Sequence, residues 1–390
     1  EDWTYLPGDQ MKRTYGRDVL NTDDLEAFLS KTNPELTADE VKQISDTVRL
    51  AGAESDFATL HKVYNWMVDG IQFTPQNGQP KMVALIDYDT PENNLFKVVN
   101  QLVVDYTDNG QQHNRRPDVL LYVNGIPVCI IELKNPADDK ATVFDAWEQI
   151  YKRYWRDIPH LLHYCPLACI SDGVQTKLGT VRTPYQHFYA WRRVNDGDKV
   201  STLPFEETET MVKGVYSPAR FLEIFRDYIY FQDHIYDKDE REIVCRYPQF
   251  FATRLLKQSI IDSVRTKSGK GGTYFGATGC GKTYTMAFLA RQLALRSTEE
   301  LGSPTILMIV DRDDLQNQGS KLFTKSKEFL CLGEVEVVES RAKLRSELAA
   351  RDSGGFYICT IQKFCDRKDD PIGLINERAN IICLGLDQHL

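Results

Sequence analysis

The octapeptide GATGCGKT (276–283) constrains this chain more than any other stretch. Its spacing is G-x-x-x-x-G-K-[ST], in which glycine-rich backbone wraps a phosphate and passes directly into a helix. A helix start leaves N–H groups without intrahelical partners and carries the positive end of the peptide dipoles, so it favours an anion. Lys282 would reach the β- and γ-phosphates of a nucleotide, and Thr283 would hold Mg2+. The motif needs a strand before it and a helix after it. Tyr274 and Phe275 are expected to supply that strand. Apolar runs follow at 304–310, 356–359 and 381–384, separated by helical patterns, as in a buried parallel sheet. Gly276, Gly279, Gly281, Lys282 and Thr283 are therefore candidate nucleotide-binding residues. Upstream, Gln249 in RYPQFFATRLL opens a helix, and its amide has the geometry to pair with the N6 and N7 edge of adenine. An exposed glutamine at a helix start is the plainer alternative.

A second stretch, RPDVLLYVNGIPVCIIELKNP (116–136), reads as a hairpin turning at Asn124-Gly125. Its strands are apolar on both faces, so Asp118, Glu132 and Lys134 stand at the rim of a core. Residues i and i+2 of a strand share a face, which puts Glu132 and Lys134 together. Two carboxylates there can hold a hard divalent cation through oxygen, with Lys134 orienting water or meeting negative charge. An ion pair at a solvated strand end competes with that reading. Parity decides between them. A regular two-residue turn pairs Val123 with Ile126 and sends Asp118 to the face opposite Glu132. An odd loop, or a bulge in one strand, brings them to one face.

At 390 residues the chain has room for two or three domains. No apolar run approaches the length of a membrane span, and nothing near Glu1 resembles a secretory leader, so no membrane role is expected. The nine cysteines are odd in number and contain no C-x-x-C pair, which argues against a disulfide framework or zinc ribbon and fits a reducing cytoplasm. A net charge of −9 excludes coating nucleic acid by bulk charge but leaves room for a local basic groove. The pattern divides into an N-terminal helical segment (1–45, with caps expected at Thr22 and Thr37), an α/β region (46–205), a helical linker (206–238) and a second α/β region (239–390).

Taken in order, these stretches resemble the restriction (R) subunit of type I restriction-modification enzymes, over most of the chain. The 116–136 stretch resembles that family's nuclease motif. CISDGVQTKLGT followed by FYAWRR resembles the end of its nuclease domain. GATGCGKT resembles its first motor motif, VDRDDLQNQ (310–318) the next and TIQKF (360–364) the one after. The resemblance implies a PD-(D/E)xK endonuclease domain at 46–205 and a partial RecA-like, superfamily 2 P-loop motor lobe at 239–390. It implies an ATP-dependent DNA translocase and Mg2+-dependent endonuclease, with ATP and Mg2+ as cofactors and double-stranded DNA as substrate. Methylation and specificity subunits are the implied partners, and the cytoplasm the implied location. Asp118, Glu132 and Lys134 take the catalytic roles, with Asp118, Glu132 and Thr283 as metal ligands. Gln249, Gly281, Lys282 and Thr283 take the nucleotide roles.

Three departures stand out. The family's nuclease helix carries Gln and Tyr four residues apart. Here Gln149 and Tyr154 are five apart, which an α-helix would rotate by about 140°; both are kept as candidate catalytic residues. Ala277-Thr278 replaces the Gln-Gly type expected in the phosphate loop. The motor's acid box should follow 381–384, where the sequence reads GLDQHL and only Asp387 is available. Because the second motor lobe normally supplies the arginine finger, these residues alone are expected to hydrolyse ATP poorly. A noncatalytic assembly module and an ATP-dependent nuclease of another defence system are the alternative functions. His160 and His163 have ligand-like spacing, Tyr151, Tyr154 and Trp155 could stack on unpaired bases, and Arg115 and Arg116 could contact phosphate; helix packing and solvation are the competing accounts.

Overall fold

A computed structural model of the chain describes residues 2–51, 55–76, 78–137, 142–200, 203, 205–232, 240–277, 279–310, 323, 327–330, 335–366 and 370–386. These divide into two compact units, Glu1–Ile229 with Arg241–Val244, and Tyr230–Glu240 with Cys245–Leu390.

The first unit is built on a six-stranded sheet in the order Thr4–Pro7, Phe96–Asn100, Val119–Val123, Ile126–Leu133, Leu167–Ser171, Thr176–Thr180. Thr4–Pro7 runs parallel to Phe96–Asn100, and Ile126–Leu133 parallel to Leu167–Ser171; the other neighbours are antiparallel. The expected hairpin is thus the centre of a mixed sheet, and this is why it is apolar on both faces. Leu120, Val123, Ile126, Val128, Cys129 and Ile130 are all fully buried. The turn is buried too. Asn124 (φ 51°) and Gly125 (φ 79°) lie in the left-handed region. Asn124 accepts the Leu95 N–H at 2.8 Å and donates to Leu85 O at 2.9 Å. Gly125 O accepts the Asn21 N–H at 2.8 Å, and a Cβ on Gly125 would sit 2.1 Å from Asn21 O. Glycine is required by both backbone conformation and space.

Helices Thr22–Thr32, Ala38–Arg49 and Asp56–Asp69 bury Leu25, Phe28, Ile44, Val48, Leu60 and Val63 in this unit. Thr37 caps the second helix in a reciprocal box with Glu40, as its sequence suggests. The first helix is capped by Asn21, one residue before the expected Thr22, because the Asn21 side chain accepts the Asp24 N–H. The N-terminal segment is not wholly helical, since Thr4–Pro7 joins the sheet edge. Helices Glu206–Val215 and Pro218–Asp227, expected to form a linker, lie within the first unit, and Tyr216 O accepts the Trp3 indole N–H at 2.7 Å.

The second unit holds helices Tyr247–Thr266 and Lys282–Leu295 and a wholly parallel sheet in the order Val335–Val337, Phe356–Thr360, Thr305–Val310, Ile381–Leu386. Leu307, Val338, Leu344, Leu348, Tyr357 and Cys359 form one of its core clusters. Tyr274 and Phe275 do not form the expected strand. The segment is rich in glycine, pairs with no described strand, and leaves Phe275 75% exposed. Among the described residues no helix is long and apolar enough to cross a membrane.

Candidate functional site

Two residue clusters emerge, one in each unit. In the first, the hairpin settles the parity question by bulging. Val123 faces Ile126 and Tyr122 faces Pro127, but Leu121 faces Cys129. One residue, Val128, is therefore extra on the second strand. Proline has no N–H to give to a ladder, so a bulge is where a central strand tolerates Pro127. Past the bulge Val119 faces Ile131, and Asp118 comes opposite Glu132. The Leu133 N–H donates to Asp118 Oδ2 at 2.9 Å, and the Asp118 N–H approaches Glu132 Oε1 at 3.4 Å. Gln101 donates its side-chain amide to Asp118 Oδ1 at 2.9 Å. Sequence patterns do not point to Gln101, which reaches the site through a left-handed backbone kink (φ 52°).

The helix over the site resolves the five-residue spacing of Gln149 and Tyr154. Val143–Glu148 is α-helical, Gln149–Tyr154 is π-helical and Trp155–Asp157 is α-helical again. A π-turn closes i to i+5, so one added residue is absorbed in one wider turn. The rotation expected for an α-helix does not occur. The Gln149 amide lies 2.6 Å from the Tyr154 hydroxyl. It also donates to Glu132 Oε2 at 2.8 Å, and Tyr154 donates to Glu132 Oε1 at 2.8 Å. Lys134 Nζ donates to Gln149 Oε1 at 2.7 Å. The structure therefore brings Asp118, Glu132, Lys134, Gln149 and Tyr154 into one hydrogen-bonded group.

Glu132 is fully buried and Tyr154 is 1% exposed. Burial, reinforced by the neighbouring Asp118 carboxylate, raises the Glu132 carboxyl to about 8 against an ordinary value of 4.5. The Tyr154 phenol is pushed up by burial and then by the Glu132 charge. Two carboxyls held together form a donor set suited to a hard divalent ion, which is commonly held by one or two carboxylates plus water and substrate oxygens. Among the described residues no group of three or more His, Cys, Asp or Glu side chains is placed to hold a metal. Of the His160 and His163 pair, His163 Nε2 lies 2.8 Å from Asp56 Oδ1, whereas His160 is largely buried, which lowers its pKa, and its Nε2 has no hydrogen-bond partner among the described residues. Arg115 is taken up by an ion pair with Asp157 at 2.6 Å, whereas Arg116 is exposed. Tyr151 stacks on Trp147 at 4.7 Å and Trp155 donates to Val181 O at 2.9 Å, so these rings pack the helix.

In the second unit Gly279 (φ 79°) and Gly281 (φ 86°) take the left-handed conformations that let the loop curl into helix Lys282–Leu295. Gly276 O accepts from Lys282 Nζ at 3.0 Å. Thr283 lies one residue into the helix and is half-buried. Gln249 is only 4% exposed, and its amide is used at both ends. Oε1 accepts the Arg246 N–H at 2.8 Å, and Nε2 donates to Gly281 O at 3.0 Å. A cleft of about 510 Å3 lies beside the loop, lined by Gly271–Gly276, Lys282, Met286 and Cys383–Gly385. Val310, Thr360 and Leu386 are matched in register at the carboxyl ends of three parallel strands. TIQKF leaves the sheet at that edge, where Val310, the first residue of VDRDDLQNQ, also ends its strand. Ligands of open parallel sheets bind outside such an edge. Residues 311–318 of that second motif, Thr278 and Asp387 lie outside the described residues.

Comparison with known proteins adds two family matches and two relatives. Residues 1–187 match the family described as type I restriction enzyme R protein N terminus, and residues 248–389 match the SWI2/SNF2 ATPase family. The chain is 31% identical over 381 residues to the type I restriction enzyme HindI endonuclease subunit of Haemophilus influenzae, covering 95% of this chain and 35% of that protein. It is 29% identical over 417 residues to the putative type I restriction enzyme MjaIXP endonuclease subunit of Methanocaldococcus jannaschii, covering 99% of this chain and 38% of that one. The chain thus spans little more than a third of the length of these relatives.

Proposed function

This chain belongs to the family of type I restriction enzyme R proteins, and from that membership we propose that it is the motor and cleavage portion of a type I restriction-modification complex. Its first unit would be a Mg2+-dependent endonuclease of the PD-(D/E)xK kind acting on double-stranded DNA. Its second would be part of an ATP-dependent DNA translocase, in the first of two RecA-like lobes. Methylation and specificity subunits would be its partners, and the cytoplasm its location. The observation that carries the nuclease reading is the Val128 bulge, which puts Asp118 opposite Glu132.

In this mechanism Asp118 and Glu132 would hold the ion, with Glu132 ionised. Bound there, Mg2+ would polarise a phosphate and lower the pKa of a water. Gln149 holds the Lys134 ammonium and leaves its remaining N–H donors for negative charge developing on the scissile phosphate. Gln149 and Tyr154 fix the Glu132 carboxyl from two sides. At the second site Lys282, now bonded to Gly276 O, would serve the phosphate oxygens, and Thr283 is the hydroxyl that would reach Mg2+. ATP supplies the phosphoryl group whose transfer drives movement. A second lobe would complete that site, so these 390 residues by themselves should turn ATP over poorly.

The test uses the longer R protein assembled with its partners. Asp118→Ala should abolish DNA cleavage while ATP hydrolysis and translocation persist. Lys282→Ala should abolish hydrolysis and translocation. Loss of ATP turnover in Asp118→Ala would overturn the division of labour between the units.

A further inference from the structure

The first unit contains a two-stranded ribbon, Val104–Asp108 paired antiparallel with Gln111–Arg115, that is separate from the main sheet. We propose that this ribbon enters a groove of duplex DNA and sets the position of the scissile phosphate over Asp118 and Glu132. The inference rests on the nuclease reading and supplies its missing substrate-recognition surface.

Four observations carry it. First, the ribbon has no core of its own beyond its root. Val104 is buried, but Thr107, Asp108 and all of Gln111–Asn114 are exposed. Isolated hairpins are marginal in water, so a polar one must be held from outside. Second, it is held at the root. Arg115 pairs with Asp157 at 2.6 Å and lies over the Tyr106 ring at 5.0 Å, while the Asp105 N–H donates to Gly16 O at 3.0 Å. The tip is free: Asn109 (φ 47°) and Gly110 (φ 77°) make the turn, and a Cβ on Gly110 would meet nothing within 4 Å.

Third, the dimensions and side chains suit nucleic acid. Five residues of strand extend about 17 Å, and a two-stranded ribbon fits a major groove about 12 Å wide. Gln111, Gln112, His113 and Asn114 offer the amide and imidazole donors and acceptors that read base edges or phosphates. At the root stand two exposed cations, Arg116 and Arg156, the second ion-paired with Asp157 at 2.7 Å, and they offset Asp105 and Asp108 of the ribbon itself. Fourth, the ribbon is tied to the carboxylates along two routes. Arg115 precedes Asp118 by only the Arg116-Pro117 dipeptide. Asp157, which anchors Arg115, ends the helix whose π-turn carries Tyr154 against Glu132. A duplex engaged by the ribbon is therefore registered against both acids through rigid elements.

The test measures binding of the 390-residue chain to a labelled mixed-sequence duplex, and to the single strand of the same sequence, by anisotropy without Mg2+. Gln111→Glu with His113→Glu places two anions on the ribbon and should weaken duplex binding roughly tenfold. Gln111→Lys with His113→Lys should tighten it and steepen the dependence of log K on log salt by about 2. Both pairs are exposed, and unchanged melting temperatures should accompany both. Unaltered duplex affinity in either pair overturns the proposal, as does an equal change for the single strand, or a parent chain that fails to hold duplex at low salt. The nuclease reading is judged separately, by cleavage in Asp118→Ala of the assembled enzyme. Retained cleavage there with altered duplex binding in the ribbon variants would remove the nuclease reading and the positioning role with it, and leave the ribbon as a duplex-binding element only.

Discussion

Gln149 and Tyr154 meet at 2.6 Å although they stand five positions apart in sequence, because a single π-turn spans the interval. The wider turn does for this chain what a four-residue α-helical spacing does elsewhere. Deleting Lys152, which is exposed, should convert the π-turn to an α-turn and keep both side chains on Glu132. Cleavage should then stay within a few-fold of the parent, with stability altered by about 1 kcal/mol or less. Inserting an alanine at the same place should abolish cleavage and spare ATP hydrolysis. Equal tolerance of both changes would show that the contact is incidental.

Tyr154→Phe isolates the hydroxyl. It should lower cleavage by roughly 10- to 100-fold, as expected when a side chain orienting a metal-binding carboxyl is lost, while ATPase activity remains. Unchanged cleavage would assign Tyr154 to packing alone.

The raised Glu132 pKa predicts the pH dependence of the first unit. A carboxyl near 8 in the fold and near 4.5 when unfolded contributes stability that is complete below the lower value. That contribution is lost as pH rises through the higher one. In chelator-treated buffer the melting temperature should fall between pH 5 and 8 by more than in Glu132→Gln. Added Mg2+ should offset the loss at pH 8 in the parent only, since the ion pairs with the carboxylate that forms. A parent and variant with parallel profiles would contradict this account.

Gln249 faces the phosphate loop rather than open solvent, which suggests a different role from adenine reading. If its bond to Gly281 O positions the loop, Gln249→Ala should weaken ATP and inorganic tripolyphosphate by the same factor, about 5- to 10-fold for one lost hydrogen bond. Calorimetric titration with both ligands decides it. A loss confined to ATP would restore the adenine role.

Gly125→Ala should destabilise the first unit by about 2–4 kcal/mol, because the new Cβ meets Asn21 O at 2.1 Å and the residue holds a positive φ. Urea unfolding followed by tryptophan fluorescence measures it; a change below 0.5 kcal/mol, roughly the scatter of surface substitutions, would mean the turn relaxes freely.

Much of this was legible in the sequence for identifiable reasons. Apolar runs fixed by burial gave the central hairpin, and the parallel strands ending at Val310 and Thr360 follow from the same signal. The acid pair could be located but not phased, because periodicity alone does not say whether an odd loop or a bulge is used. Pro127 was the available clue to a bulge. The π-turn was illegible, since its extra residue looks like a broken spacing under α-helical geometry. Tyr274 and Phe275 have strand propensity, yet a strand also needs a ladder partner, which local sequence does not supply. Arg115 reads as a free cation until Asp157, distant in sequence, is placed beside it.

The Val128 bulge has a consequence for how the hairpin can change. Side chains along paired strands alternate with a period of two, so the interval from Asp118 to Glu132 is quantised. One residue gained or lost between them inverts the phase and sends one carboxyl through the sheet, whereas two leave the phase intact. Variation in that interval should therefore occur in even steps, and an odd step should be found only where a second irregularity cancels the first.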